Sequence, residues 1–482
     1  MIPPGLVILL PFLTALGVVV TRNNRRLRNL VLVSAGIINL LFLVTIFVSR
    51  ESYDGVRVLF ETLPGLRIAF HVEPLGLIFA LTSGTLWPIT SIYAIGYLNA
   101  GNDQHQARFH ALFCVAIGSA MGIAFSENLF TLFLFYEILT FSTWPLVTHV
   151  RTEAAVKAGR IYLGVLLTTS LMLFLLAIVL VGNYGDSLSF VKGGVLANTH
   201  PSLVAVLLVL FTFGIGKAAV MPFHRWLPNA MVAPAPVSAL LHAVAVVKAG
   251  VFTILKISVY IFGFDTLASI GIRDILIWAP AITILLGSAI AMRQDDIKAR
   301  LAYSTVSQLS YIVLGALMAN QLALVGSGLH IPMHAFGKIT LFFCAGSIMV
   351  FSGKKYVSEL NGLGRSMPWT FGAFLVAALS IAGLPPTGGL WSKWYLALGA
   401  LEAGQVALLI VLMISSLLNV YYLLSIPFRA FFLKPIDAVA PLENRVSMIA
   451  PLVLTATISF LLFFMAGDMV EFLSQFAGYI AS

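Results

Sequence analysis

The sequence predicts an all-helical protein that crosses a membrane about fourteen times, and three observations carry that fold class. Hydrophobic residues make up 60% of the 482 and charged residues only 10%, with a mean hydropathy of +0.99. No soluble domain has that balance. The apolar residues fall into repeated runs of roughly 20, long enough at 1.5 Å per residue to cross a hydrocarbon core of about 30 Å. The charges gather in the short loops between the runs. A net charge of +9 would suit a nucleic-acid binder only if it were clustered on a soluble face, so that class is excluded.

The runs lie near residues 2–20, 28–49, 74–98, 107–126, 128–150, 154–182, 202–222, 236–263, 272–291, 299–319, 323–351, 369–388, 406–432 and 447–470. The first begins at Met1-Ile2-Pro3-Pro4 without a basic leader region and is expected to be a span, not a cleaved signal. Two runs are interrupted. Pro222 sits at the end of the seventh, where it removes the hydrogen bond to the Ala218 carbonyl, and Gly383-Leu384-Pro385-Pro386-Thr387-Gly388-Gly389 breaks the twelfth. Breaks at matching places suggest two copies of a five-helix unit, spans four to eight and nine to thirteen, and an odd repeat length makes the copies inverted. The expected divisions are three leading spans over 1–106, a first repeat over 107–263, a second over 264–432, and a final span over 433–482.

Orientation follows from Lys and Arg in the loops. With both termini outside, eighteen basic residues fall in inner loops, among them Arg22, Arg25, Arg26, Arg28, Arg108, Arg151, Lys298 and Arg300. Only Arg50, Arg57, Arg67, Lys192 and Arg273 fall outside. Cys114 and Cys344 both lie inside apolar runs, so neither a disulfide framework nor a thiolate metal cluster is expected.

Five lysines remain, Lys217, Lys248, Lys256, Lys338 and Lys393, and all lie within spans. A lysine at the bilayer centre costs about 2.5–3.5 kcal/mol on insertion scales, which marks these positions as functional candidates. Glu137 joins them roughly 14 Å into its helix. Glu73 and Glu127 stand at span edges and are expected to be solvated.

Each candidate has a plainer reading beside the functional one. Glu137 and Lys217 suit an intramembrane ion pair, either a lock between helices or a functional couple, and their mid-depth favours function. His242 and Lys248 are six residues apart and face different sides of one helix, as successive stations for a proton would. Lys256, eight residues beyond Lys248, is expected to snorkel to the outer surface. His330, His334 and Lys338 repeat every four residues as one polar stripe. Two His at that spacing suit a metal, but no carboxylate or thiol lies near to complete a site, so none is expected. Ser304, Ser307, Gln308 and Ser310 are suited either to hold water beside the stripe or to act as packing glue. Lys393 lies close to the Pro385-Pro386 break, although Trp391 and Trp394 are equally suited to an interfacial belt.

The sequence resembles the antiporter-like subunits shared by Mrp cation/proton antiporters, respiratory complex I and membrane-bound hydrogenases. The resemblance rests on Tyr136-Glu137, on Gly216-Lys217 with Met221-Pro222-Phe223-His224-Arg225-Trp226-Leu227-Pro228, and on Ala233-Pro234-Ala235-Pro236 running through His242 to Lys248-Ala249-Gly250. Leu301-Ala302-Tyr303-Ser304-Thr305-Val306-Ser307-Gln308 and His334-Ala335-Phe336-Gly337-Lys338 add to it. It implies fourteen helices with inverted five-helix repeats and a lateral proton relay. In that relay Glu137 pairs with Lys217, followed by Lys248, His334 or Lys338, and finally Lys393, with His242 beside the line. It also implies partner membrane subunits, including a further antiporter-like one, protons and Na+ as the ions, and a prokaryotic cell membrane. Lys at 393 separates the chain from M-type subunits of complex I, and the D subunit of Mrp antiporters is the expected match. The proton-pumping part of a redox-driven complex is the alternative. No Cys cluster or Gly-rich fingerprint is present, so no cofactor and no catalytic chemistry of its own are expected.

Overall fold

The computed structural model describes residues 2–53, 55–63, 66–435 and 442–481, with side chains except at 62, 63 and 475–481. Its sixteen principal helices are α1 (Pro4–Val20), α2 (Arg25–Val48), α3 (Pro74–Ala100), α4 (Gln106–Phe125), α5 (Leu129–Val147), α6 (Glu153–Tyr184), α7 (Pro201–Gly214), α8 (Ala235–Phe262), α9 (Ile272–Arg293), α10 (Ile297–Met318), α11 (Gln321–Ser352), α12 (Pro368–Ala382), α13 (Gly389–Glu402), α14 (Val406–Phe432), α15 (Val446–Leu461) and α16 (Ala466–Ala481). Ten are long and apolar enough to cross a membrane, and α15 with the first part of α16 forms a further pair bent by 65°. α1, α7 and α12 are shorter apolar helices. Every run expected from the sequence contains helix.

The helix starts follow local chemistry. The side chains of Asn24, Asn128, Thr152, Asp296 and Asn320 each accept a hydrogen bond from a backbone N–H three residues on, and Pro opens α1, α3, α7 and α12. Between α2 and α3, where the sequence suggested only a loop, β1 (Arg57–Leu63) and β2 (Leu66–Phe70) pair antiparallel, Arg57 opposite Phe70.

Burial separates the helices into two sets. The most apolar stretch of α8 is 100% buried and that of α10 is 94% buried, whereas the corresponding stretches of α2, α6 and α14 are 33–39% buried and present leucines, valines and phenylalanines outward. The corresponding stretch of α11 is 78% buried, so α8 and α11, which carry Lys248, Lys256 and Lys338, lie largely inside protein, where an ammonium finds polar partners instead of lipid. Glycine permits the tightest approach. A Cβ on Gly326 would stand 2.6 Å from the Leu396 nitrogen and one on Gly399 2.7 Å from that of Ala323, so α11 and α13 touch through their backbones.

The break in the seventh run differs from expectation. Its helix stops at Gly214, eight residues before Pro222, and Gly216–Ala218 form a 3₁₀ turn closed by Ala219 in the left-handed region at φ 55°. Lys217 thus sits on a turn, not in mid-helix, and Pro222 lies in the loop that follows. The reason is packing: a Cβ at Gly216 would meet the Thr169 hydroxyl at 2.2 Å, and the Trp226 indole donates to the Gly216 carbonyl at 3.0 Å, holding the chain off the helical path. In the twelfth run the helix ends at Ala382 and resumes at Gly389, so Pro385 and Pro386 lie inside the interruption.

Candidate functional site

Lys217 is fully buried against α5. Its Nζ donates to the Tyr136 carbonyl at 2.9 Å and the Thr140 hydroxyl at 2.5 Å, and lies 3.2 Å from the centre of the Tyr136 ring, while its backbone N–H donates to the Tyr136 hydroxyl at 3.1 Å. The ammonium is held by a carbonyl, a hydroxyl and a π face. The expected ion pair with Glu137 is not formed in this structure. Glu137 neighbours Tyr136, but neither of its carboxylate oxygens, both buried, has a hydrogen-bond partner. Because consecutive helical residues point about 100° apart, a lysine seated on Tyr136 does not meet the residue after it.

The turn carrying Lys217 packs directly on α8. A Cβ on Gly250 would stand 2.4 Å from the Lys217 carbonyl carbon and 2.8 Å from its Cβ. Two residues earlier on that helix, the Lys248 Nζ is 2.8 Å from Nδ1 of His334 on α11. His334 stacks on His330 with ring centres 5.5 Å apart, and His330 Nδ1 is 2.9 Å from the hydroxyl of Ser392, the residue before Lys393. Lys393 Nζ donates to the Ala382 carbonyl at 3.0 Å and the Ser416 hydroxyl at 3.1 Å, 5.1 Å from the Tyr311 ring centre. Lys393 itself lies in the second turn of α13, and these bonds turn its ammonium back toward the interruption at the end of α12 instead of toward an interfacial belt.

Lys338 occupies a side branch, donating to the Ser304 hydroxyl at 2.7 Å and the Leu301 carbonyl at 3.2 Å. Ser304 in turn meets the Tyr422 hydroxyl at 2.9 Å, and Tyr422 also donates to Asn419. The other small polar residues of α10 divide. Ser307 joins Ser288 and Ser415 in a buried triad, Ser310 bonds its own helix, and the Gln308 amide is buried with no hydrogen-bond partner. His242, in a π-helical turn over Leu240–Val244, rests on Phe342 with ring centres 4.5 Å apart and neither nitrogen bonded.

Sequence reasoning missed the partners supplied from distant helices: Thr140, Ser392, Ser416 and Tyr422. Of these only Ser392, adjacent to Lys393, left a local signal. It also misread Lys256 and the two outer glutamates. Lys256 is 1% exposed, not snorkelling, and its Nζ lies 3.1 Å from Glu73 Oε1 and 2.7 Å from the Ser126 carbonyl. Glu73 and Glu127 are each 5% exposed, not solvated, and Glu127 pairs with Arg67 at 3.0 Å. The partners of Lys256 lie 130 and 183 residues away in sequence, so spacing on its own helix could not reveal them.

Comparison with known proteins agrees with this architecture. Residues 126–419, more than half the chain, match the family model described as NADH:quinone oxidoreductase/Mrp antiporter, transmembrane segment. The chain is 38% identical over 335 residues to NADH-quinone oxidoreductase subunit N of Desulforudis audaxviator, covering 69% of this chain and 66% of that one. It is 33% identical to a probable K(+)/H(+) antiporter subunit of Rhizobium meliloti (68% of this chain, 32% of that one) and 31% identical to hydrogenase-4 component B of Escherichia coli (72% and 53%). The chain thus spans less than two thirds of the length of these relatives. Among solved structures, the Mrp complex from a Dietzia species contains a chain that superposes with a TM-score of 0.85 at 22% identity, covering 100% of this chain and 98% of that one. A chain of an archaeal membrane-bound sulfane sulfur reductase gives 0.86 at 22% identity, covering 99% and 97%. The chain is an integral membrane protein and belongs to the NADH:quinone oxidoreductase/Mrp antiporter family.

Proposed function

We propose that this protein is a proton-translocating subunit of a multi-subunit monovalent cation/proton antiporter, of the Mrp D type and with Na+ as the exchanged ion. Protons pass laterally through Glu137, Lys217, His242, Lys248, His334, Lys338 and Lys393. The single observation that carries the reading is the 2.8 Å contact between Lys248 Nζ and His334 Nδ1, buried between α8 and α11. A charged amine donates to the neutral imidazole there, and a neutral amine accepts from an Nδ1–H, so one proton has a seat on either side. Among the described residues, none of Lys217, Lys248, Lys338 and Lys393 forms an ion pair. Neutral partners let an amine change charge without stranding a carboxylate.

In this account the chain crosses the membrane fourteen times, with α1, α7 and α12 completing the set, both termini outside and inverted repeats over 107–263 and 264–432. The breaks at Pro222 and at Pro385-Pro386 provide the two stations Lys217 and Lys393. On this reading the seat of Lys217 on Tyr136 and Thr140 corresponds to the open arrangement of the pair. Approach of the Glu137 carboxylate closes the pair and holds the charge, and separation releases the proton toward Lys248. Other membrane subunits, including a second antiporter-like one, complete the complex.

The test is cation-driven proton movement in vesicles carrying Lys217→Ala or Glu137→Ala complexes, each verified to assemble. Loss of exchange supports the relay, and unchanged exchange sinks it. A second reading, the proton-pumping subunit of a redox-driven complex, is favoured by the 38% identity to a quinone oxidoreductase subunit. Co-purifying subunits separate the two: iron–sulfur or hydrogenase-like companions select the redox pump, and small membrane subunits alone select the antiporter.

A further inference from the structure

One buried lysine has no part in the relay. Lys248, Phe252 and Lys256 stand at four-residue intervals on α8 and form one stripe, with about 12 Å of helix rise between the two lysine Cα atoms. The Lys256 end opens on a cavity of about 820 Å³ on the hairpin side of the protein, lined among others by Glu73, Ser126, Glu127, Arg67 and Tyr260. There the Lys256 ammonium lies 3.1 Å from Glu73 Oε1, and Glu73 Oε2 accepts the Tyr260 hydroxyl proton. Arg67 pairs with Glu127 at 3.0 Å beside the buried Glu73–Lys256 couple. Between this couple and Lys248 stands Phe252, fully buried, its ring 4.9 Å from that of Phe79 on α3 and 5.5 Å from the Lys256 nitrogen.

We propose that Glu73 and Lys256 form a proton port on the hairpin face, and that the Phe252–Phe79 pair is the hydrophobic gate separating it from the buried amines. The proposal rests on the reading of Lys248 and His334 as relay members. With about 12 Å of helix rise between them and the amines bonded elsewhere, to His334 and to Glu73, transfer between the two lysines needs water along the stripe, and two packed phenyl rings inclined by 32° exclude it. Displacement of the Phe252 ring frees room for about three waters at roughly 30 Å³ each. The step balances as a proton transfer alone. The Lys256 ammonium gives its proton to the Glu73 carboxylate, leaving a neutral amine and a carboxylic acid, and the acid then releases that proton to cavity water. The neutral amine is recharged through the water chain by the Lys248 ammonium, which in turn becomes neutral. An ion pair kept for packing alone would be replaceable by apolar residues without functional loss. This one faces a space large enough for many waters.

The test is passive proton leak, measured with a pH-sensitive dye in vesicles holding the whole purified complex, under an imposed pH difference and with no exchanged cation present. Phe252→Ala is expected to raise the leak well above wild type, Phe252→Leu to leave it closed, and Glu73→Gln combined with Phe252→Ala to return it toward wild type, since an amide keeps an oxygen for Tyr260 but takes no proton. Subunit content and thermal unfolding confirm that each variant assembles. An assembled Phe252→Ala complex as tight as wild type overturns the gate, and a leak indifferent to Glu73→Gln overturns the port. A leak that depends on Glu73 but survives Lys248→Ala leaves port and gate standing and refutes the relay reading.

Discussion

Gly250→Ala tests whether the approach of the Lys217 turn to α8 positions the site. Helix propensity alone favours the change by up to about 1 kcal/mol, since glycine in a helix interior is the weaker former. Geometry opposes it. The added methyl would stand 2.4 Å from both the Ala218 nitrogen and the Lys217 carbonyl carbon, where ordinary contact begins near 3.4 Å, so the turn must withdraw by about 1 Å. The atoms in the way are backbone and cannot rotate aside, which places the strain in the upper part of the 1–3 kcal/mol typical of overpacking. The net expectation is a loss of about 1–2 kcal/mol, with the Lys217 nitrogen drawn off its bonds to Tyr136 and Thr140. Thermal unfolding of the purified complex and cation-driven proton exchange in vesicles read the two effects. Gly164→Ala is the control, because nothing lies within 4 Å of that Cβ, and it is expected to be neutral or stabilising with exchange intact. A Gly250→Ala complex as stable and as active as wild type would refute the argument that this close approach sets the position of Lys217.

Three further substitutions probe other supports. Trp226→Phe removes one of the two donors to the buried Gly216 carbonyl, leaving the Ala219 N–H, and is expected to lower stability by about 0.5–1.5 kcal/mol while slowing exchange, read by chemical unfolding and vesicle transport. Gly383→Ala forces a methyl into a residue at φ +84° and within 2.7 Å of the Lys393 Cδ, at about 1–2 kcal/mol for the backbone alone, and exchange is expected to fall as the Lys393 stem shifts. Tyr422→Phe removes the hydroxyl joining Ser304 to Asn419 and so loosens the seat of Lys338; exchange is expected to slow while assembly, followed by subunit composition, is retained.

The sequence exposed those parts of the molecule whose signal is local. Apolar runs located the helices, and the cost of a lysine in such a run marked Lys217, Lys248, Lys338 and Lys393 without reference to neighbours. Features set by distant contacts stayed hidden. Pro222 was the obvious helix breaker, yet the helix gives way at Gly214 because Trp226 and Thr169 hold the Gly216 turn. Lys256 has the spacing of a snorkelling residue, and only the fold brings Glu73 to it. The Glu137–Lys217 couple was read from two costly charges at similar depth, whereas in this structure the Lys217 nitrogen is bonded to Tyr136 and Thr140. That difference is one of direction around a helix, which depth does not reveal.

The most direct test of the relay is Lys248→Ala in the assembled complex, since this nitrogen makes the 2.8 Å contact with the His334 imidazole on which the relay turns. With subunit composition and unfolding temperature unchanged, proton exchange in reconstituted vesicles is expected to fall to the level of protein-free vesicles. Exchange at the wild-type rate would contradict the proposal that protons pass through the buried lysines and histidines.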